Sequence, residues 1–216
     1  MGGAEGVKKK ILSISTFQGP YVPDPSDALS YVSPQCPALP LPLPRQCHPV
    51  FLGDSKSKDF EVGRTSLIPG LLKGLAYNKH NSPPLRLFEF GDVLLQVDPA
   101  ISDTGAKNLR LLSAVVAGPT SGFEVINGLL NQVMWCLQGD LGQGRLPYSL
   151  TAPAQPAELP HYFQGRAALI KVTSPEGAEV LVGHVGVVHP LVLEQFAVPF
   201  AVSALELNIE PFLHWM

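Results

Sequence analysis

Three histidines, His161, His184 and His189, are the first candidates for chemistry, because imidazole ligates metals and moves protons near neutral pH. His184 and His189 lie five apart in a segment that reads as a strand, where such positions point to opposite faces. The two diverge, so no metal ligand is expected. Cys36 and the Cys47-His48 pair lack a second close pair and fall short of the spacing that zinc sites use. Glu89 and Asp92 flank Gly91 and could suggest two carboxylates acting on one substrate. In an extended segment they do not converge, and Gly91 reads instead as a bulge at a strand end. No Gly-rich Walker loop and no G-x-S-x-G elbow occurs. By themselves the residues point to no catalytic apparatus.

The elements that would position these side chains follow from periodicity. Ser66 reads as the cap of a helix carrying Leu67, Ile68, Leu71, Leu72 and Leu75 in one apolar stripe, with Pro69 in its first turn. Gly70 and Gly74 form a small-residue strip on it, where a second helix could approach closely. Leu85–Val97 and Leu109–Ala117 read as an antiparallel pair. Ser121 caps a helix carrying Phe123, Ile126, Leu130, Val133, Met134 and Leu137, closed by Gly139. A short strand is expected at 146–150. A hairpin joins 166–173 to 178–188 around Ser174-Pro-Glu-Gly177. His189-Pro190 opens a short helix that Pro199 ends, and Val202–Ile209 is a last strand. The sum is an α+β fold: an antiparallel sheet flanked by one long and two shorter helices.

Composition divides the chain in two. Of 22 prolines in 216 residues, nine fall between Pro20 and Pro49. Each proline lacks an N–H and fixes φ, so residues 1–48 read as an irregular, disordered Pro-rich segment and 49–216 as the folded domain. The run Pro37–Pro44 favours polyproline II, either as a ligand for a Pro-recognising domain or as a linker. Lys8-Lys-Lys10 before a seven-residue apolar run faintly resembles a signal peptide, but serines dilute it and no cleavage site follows. A net charge of −3 offers no electrostatic footprint for nucleic acid, and three scattered cysteines suit a reducing compartment. No apolar stretch is long enough to span a membrane.

Asp59-Phe-Glu-Val-Gly-Arg64-Thr-Ser-Leu-Ile-Pro-Gly-Leu-Leu-Lys73 closely resembles a signature of the phenylalanyl-tRNA synthetase β-subunit family, archaeal/eukaryotic cytosolic type. The resemblance continues through Asn78-Lys-His-Asn81, Leu85-Arg-Leu-Phe-Glu-Phe-Gly-Asp-Val93, Gly118-Pro-Thr-Ser-Gly-Phe-Glu124, Gly165-Arg166, Gly183-His-Val-Gly-Val-Val-His-Pro190 and Val202-Ser-Ala-Leu-Glu-Leu207. It implies the synthetase-like module near the C-terminus of β, built like a class II aminoacyl-tRNA synthetase catalytic domain. It also implies a cytoplasmic (αβ)₂ enzyme that charges tRNA with phenylalanine using ATP and Mg²⁺, in which this module pairs with the catalytic α subunit.

The class II nucleotide clamps are missing. Arg86-Leu-Phe-Glu89 departs from the Arg-x-Glu spacing, and the closing strand from Ser203 to Glu210 contains neither Gly nor Arg. The resemblance therefore implies a degenerate, non-catalytic fold with no cofactor of its own, the family's Mg²⁺-binding domain being absent. The Ser66–Tyr77 helix corresponds to the first class II motif, which builds subunit interfaces. Arg64, Leu67, Leu71, Leu72, Leu75, Gly70 and Gly74 are the expected contacts with α, unless the leucine stripe covers this domain's own sheet. A fragment or splice form acting as an interaction module, without supporting charging, is the competing expectation.

Overall fold

The structure, a computed structural model, describes residues 12–13, 49–53, 61–97, 102–138, 147–154 and 158–215. The polyproline reading and Gly139 as a helix stop lie outside the described residues. A seven-stranded sheet runs through the molecule in the order β1-β2-β3-β7-β6-β5-β4. The strands are β1 (Leu12–Ser13), β2 (Leu85–Gln96), β3 (Ala106–Gly118), β4 (Tyr148–Thr151), β5 (Tyr162–Thr173), β6 (Glu179–Val188) and β7 (Ala201–Asn208). Two-residue β1 lies within the segment expected to be irregular and pairs parallel with Leu87 and Phe88; the other pairings are antiparallel. The last strand in the chain, β7, inserts between β3 and β6, and Leu205 and Leu207 on it are fully buried.

Helices cover both faces. On one, α1 (Ile68–Tyr77) and α3 (Pro190–Gln195) bury Ile68, Leu71, Leu72, Leu75 and Leu193 against Leu87, Val115, Ala117, Val202 and Ala204. On the other, α2 (Phe123–Gln138) and α4 (Glu210–Trp215) bury Ile126, Leu130, Met134 and Phe212 against Ala114, Val116, Val182, Leu205 and Leu207. Each such side chain contributes about 1.5–3 kcal/mol by leaving water. Helix α4 is not anticipated by the sequence reading. It starts where the Asn208 side chain accepts from the Glu210 N–H at 3.0 Å, and six residues carry too little periodicity to register.

Two expectations need correction. Gly91 is no bulge, since β2 pairs without interruption from Leu85↔Ala117 to Gln96↔Ala106, with Gly91 opposite Leu111. The true irregularities lie on the other side of the sheet. Between Tyr162 and Ala167, β5 advances five residues while β6 retreats two, and Val182 is an extra residue between Leu181 and Gly183. Each odd excess flips the side-chain phase of its strand. Tyr162 and His184 thereby come onto the face that α1 and α3 cover.

Candidate functional site

On that face a polar row crosses an otherwise apolar sheet. Glu89 of β2 stands opposite Ser113 of β3, Ser113 opposite Glu206 of β7, and Glu206 opposite His184 of β6. The segment that leads into α1, residues 61–67, lies along this row as a strap. Its backbone is tied at both sides, Gly63 N–H donating to Val50 C=O at 2.8 Å and Leu94 N–H to Arg64 C=O at 2.9 Å.

The strap grips both carboxylates. Arg64 Nη1 donates to Glu89 at 2.5 Å, and its Nε donates to the Asp92 carbonyl at 2.9 Å. The guanidinium fits because position 91 is glycine: a Cβ there would stand 2.7 Å from Arg64 Nη2. Glu206 accepts from the Leu67 N–H at 2.8 Å and from the Ser66 hydroxyl at 3.0 Å to each oxygen. Ser66 in turn accepts from the Ile68 N–H at 3.2 Å. The sequence reading placed the cap of α1 on Ser66 alone. Instead the free amides at its start are shared between Ser66 and a carboxyl 139 residues further along the chain.

The other end of the row is aromatic. Tyr162 Oη lies 3.0 Å from His184 Nδ1 and donates to the Ala204 carbonyl at 3.3 Å. The same proton can serve His184 Nδ1 instead, so the hydroxyl links the imidazole to the Ala204 carbonyl. Nε2 of His184 lies 3.7 Å from Glu206 Oε2. His161 packs against Tyr162 and edge-on to His184, with its Nε2 buried and unbonded. Burial sets the protonation states. It pushes Glu206 up to about 7 against the donors from Leu67 and Ser66, and Tyr162 upward. It holds His161 down at about 4, and with His161 beside it His184 at about 3.

His189 is elsewhere: its Nδ1 accepts from the Leu191 N–H at the start of α3, and its ring stacks on Phe163. His184 lies on β6 and His189 just past its end, as the cap of α3, so the two diverge, while His161 and His184 meet, which spacing alone did not indicate. Among the described residues no group of three His, Cys, Asp or Glu side chains could hold a metal ion. Asp92 points to the opposite face from Glu89 and binds Arg110 through both oxygens, at 2.7 and 2.9 Å, which lowers its pKa.

The expected contacts with a second subunit distribute unevenly. Leu67, Leu71, Leu72 and Leu75 are 1% exposed or less in this chain by itself, packed on its own sheet, so they offer no surface to another chain. A Cβ at Gly70 would meet Glu89 at 3.6 Å, so this glycine looks toward the row. Gly74 is half-buried, Arg64 is exposed yet paired, and Tyr77 is the side chain that α1 turns outward, 73% exposed. The sequence reading missed Ser66, His184 and Glu206 as a group, although each lies in a block it quoted.

The family model described as the phenylalanyl tRNA synthetase beta chain CLM domain matches residues 44–209. Phenylalanine–tRNA ligase beta subunits are similar: that of Caenorhabditis elegans is 40% identical over 166 residues, that of Mus musculus 42% over 164 and that of Homo sapiens 38% over 164. These matches cover 76–77% of this chain but 26% of each relative, so the chain spans about a quarter of their length. The solved structure of a pyrrolysyl tRNA synthetase from Desulfitobacterium hafniense overlaps with a TM-score of 0.49 at 16% identity, covering 76% of this chain and 52% of its own.

Proposed function

The chain belongs to the phenylalanyl-tRNA synthetase β-chain family, and from that premise we propose that it is a non-catalytic module with a class II synthetase-like fold. In the cytoplasm it supports the ATP-dependent attachment of phenylalanine to tRNA by packing against the catalytic α subunit, in an (αβ)₂ enzyme. One observation carries the non-catalytic part. On the α1 face the strap occupies the row, and the two carboxyl groups there, Glu89 and Glu206, are bound within the chain rather than left to face a substrate. Arg64 holds Glu89, Glu206 is bound by Ser66 and Leu67, and on the far face Arg110 holds Asp92. Adenylate formation needs cations aimed at transferring phosphoryl groups, and these residues do not fit an ATP–Mg²⁺ site. ATP and Mg²⁺ would act on the α subunit.

Docking on α falls to the outward parts of α1, where Tyr77 is exposed, rather than to the leucine stripe. Co-expression with a phenylalanyl-tRNA synthetase α subunit tests the proposal by size exclusion and by charging of tRNA with phenylalanine. A complex that charges tRNA supports a working subunit piece. A complex without charging favours the interaction-module reading, and absence of a complex removes both. ATP–pyrophosphate exchange by this chain alone stays at background; robust exchange overturns the non-catalytic reading.

A further inference from the structure

We infer that Glu206 is a positioning residue for the subunit interface: from the last strand it clamps the joint between the strap and α1, and so fixes the relation of the two segments that face the α subunit. The inference rests on the reading that this side of the molecule docks on α. The side chains turned outward there come from both segments, since Arg64 of the strap and Tyr77 of α1 are exposed. Ser66 and Leu67, where the strap becomes the helix, lie between them in the chain and form the joint.

Each segment has an anchor of its own. Arg64 ties the strap to Glu89 and to the Asp92 carbonyl, and the backbone pairs at Gly63 and Leu94 tie it further. Helix α1 is held by its buried stripe, and apolar burial is non-directional: it selects the side that lies on the sheet but sets no angle at the joint. The directional bonds of the joint run to Glu206. Its carboxyl accepts from the Leu67 N–H at 2.8 Å and from the Ser66 hydroxyl at 3.0 Å to each oxygen, while Ser66 accepts from the Ile68 N–H. The anchor behind them is rigid, because Glu206 is buried on a strand paired on both sides, with β3 and with β6. Without that carboxyl the Leu67 amide is buried with no acceptor, and the first turn of α1 frays. The α subunit would then have to order the turn on binding, at the expense of affinity.

Binding of the full chain to a phenylalanyl-tRNA synthetase α subunit, measured by calorimetry, tests this beside amide exchange. In Glu206→Ala the affinity for α should fall by about tenfold. Protection of the Leu67 and Ile68 amides should fall by about tenfold more than that of Leu130 in α2. Glu206→Gln keeps an oxygen for the Leu67 amide and a donor for the Ser66 hydroxyl, and should bind α as the parent does. Ser66→Ala removes the other half of the clamp and should weaken binding by about threefold or more. Ile126→Val, on the far face, lowers stability without touching the joint and should leave affinity unchanged. A parent chain that does not bind α removes the partner reading and this inference with it. Where the parent binds, three results overturn the clamp alone: unchanged affinity in Glu206→Ala (or in Ser66→Ala, should the former not fold), a Glu206→Gln as weak as Glu206→Ala, or equal weakening by Ile126→Val.

Discussion

Gly183 and Gly177 are both glycines of the β5–β6 region, but the reasons differ. A Cβ at Gly183 would stand 2.2 Å from the Glu206 carbonyl oxygen and 2.9 Å from Leu207 Cδ2, so the backbones of β6 and β7 would have to separate. At Gly177 the surrounding space is open, and only its φ of +85° in the hairpin turn disfavours a side chain. Gly183→Ala should therefore cost about 3 kcal/mol or more, as overpacking against backbone does. Gly177→Ala should cost about 1–2 kcal/mol. Urea denaturation of the two variants checks the order, and equal losses would refute it. Gly91 is intermediate, because the group in the way is the tip of the Arg64 side chain, which can swing aside at the expense of its pair with Glu89. With Arg64 about two-fifths exposed, that pair is worth about 1 kcal/mol or less.

Helix α1 illustrates what an amphipathic stripe does and does not announce. Leu71 and Leu75 are wholly buried, Tyr77 is turned out, and Asn78 closes the helix with its side-chain amide donating to the Gly74 carbonyl at 2.8 Å. Leu71→Ala and Leu75→Ala should each cost about 2–5 kcal/mol, the range for buried leucines. Tyr77→Ala should leave stability within about 0.5 kcal/mol. Thermal melts of the three variants measure this directly; a Leu71 variant as stable as the parent would contradict the packing. Replacing both leucines by glutamate would unfold the element, so subunit docking is better probed at Tyr77.

Across the whole molecule the buried titrating groups oppose one another. His161 and His184 are held below their ordinary 6.5, at about 4 and about 3, so their stabilisation is complete above pH 6.5 and is lost as pH falls through those values. Glu206 is raised from 4.5 to about 7, so its contribution is complete below pH 4.5 and is lost as pH rises through 7. The sum places the stability maximum near pH 7, with the steeper decline on the acid side. Glu206→Gln removes only the second component. Its stability relative to the parent should improve by about 2–3 kcal/mol between pH 4.5 and 7.5 and stay level above that. Denaturant titrations across the range measure the difference, and a pH-independent difference would show that Glu206 titrates as an ordinary exposed carboxyl.

What the sequence by itself determined was local. Periods of 3.6 and 2 residues place α1, α2 and the long strands, and the quoted blocks around Arg64, Glu89, Gly183 and Glu206 carry the family resemblance. What only the tertiary structure decided was which distant residues meet. Ser66 and Glu206 are 140 residues apart, and they touch because the last strand is inserted between β3 and β6. Tyr162 and His184 share a face with Glu206 because two odd register shifts in β5 and β6 reverse their phase. Periodicity reports a side chain's direction relative to its own backbone, whereas insertion order and register are relations between strands, settled by long-range packing.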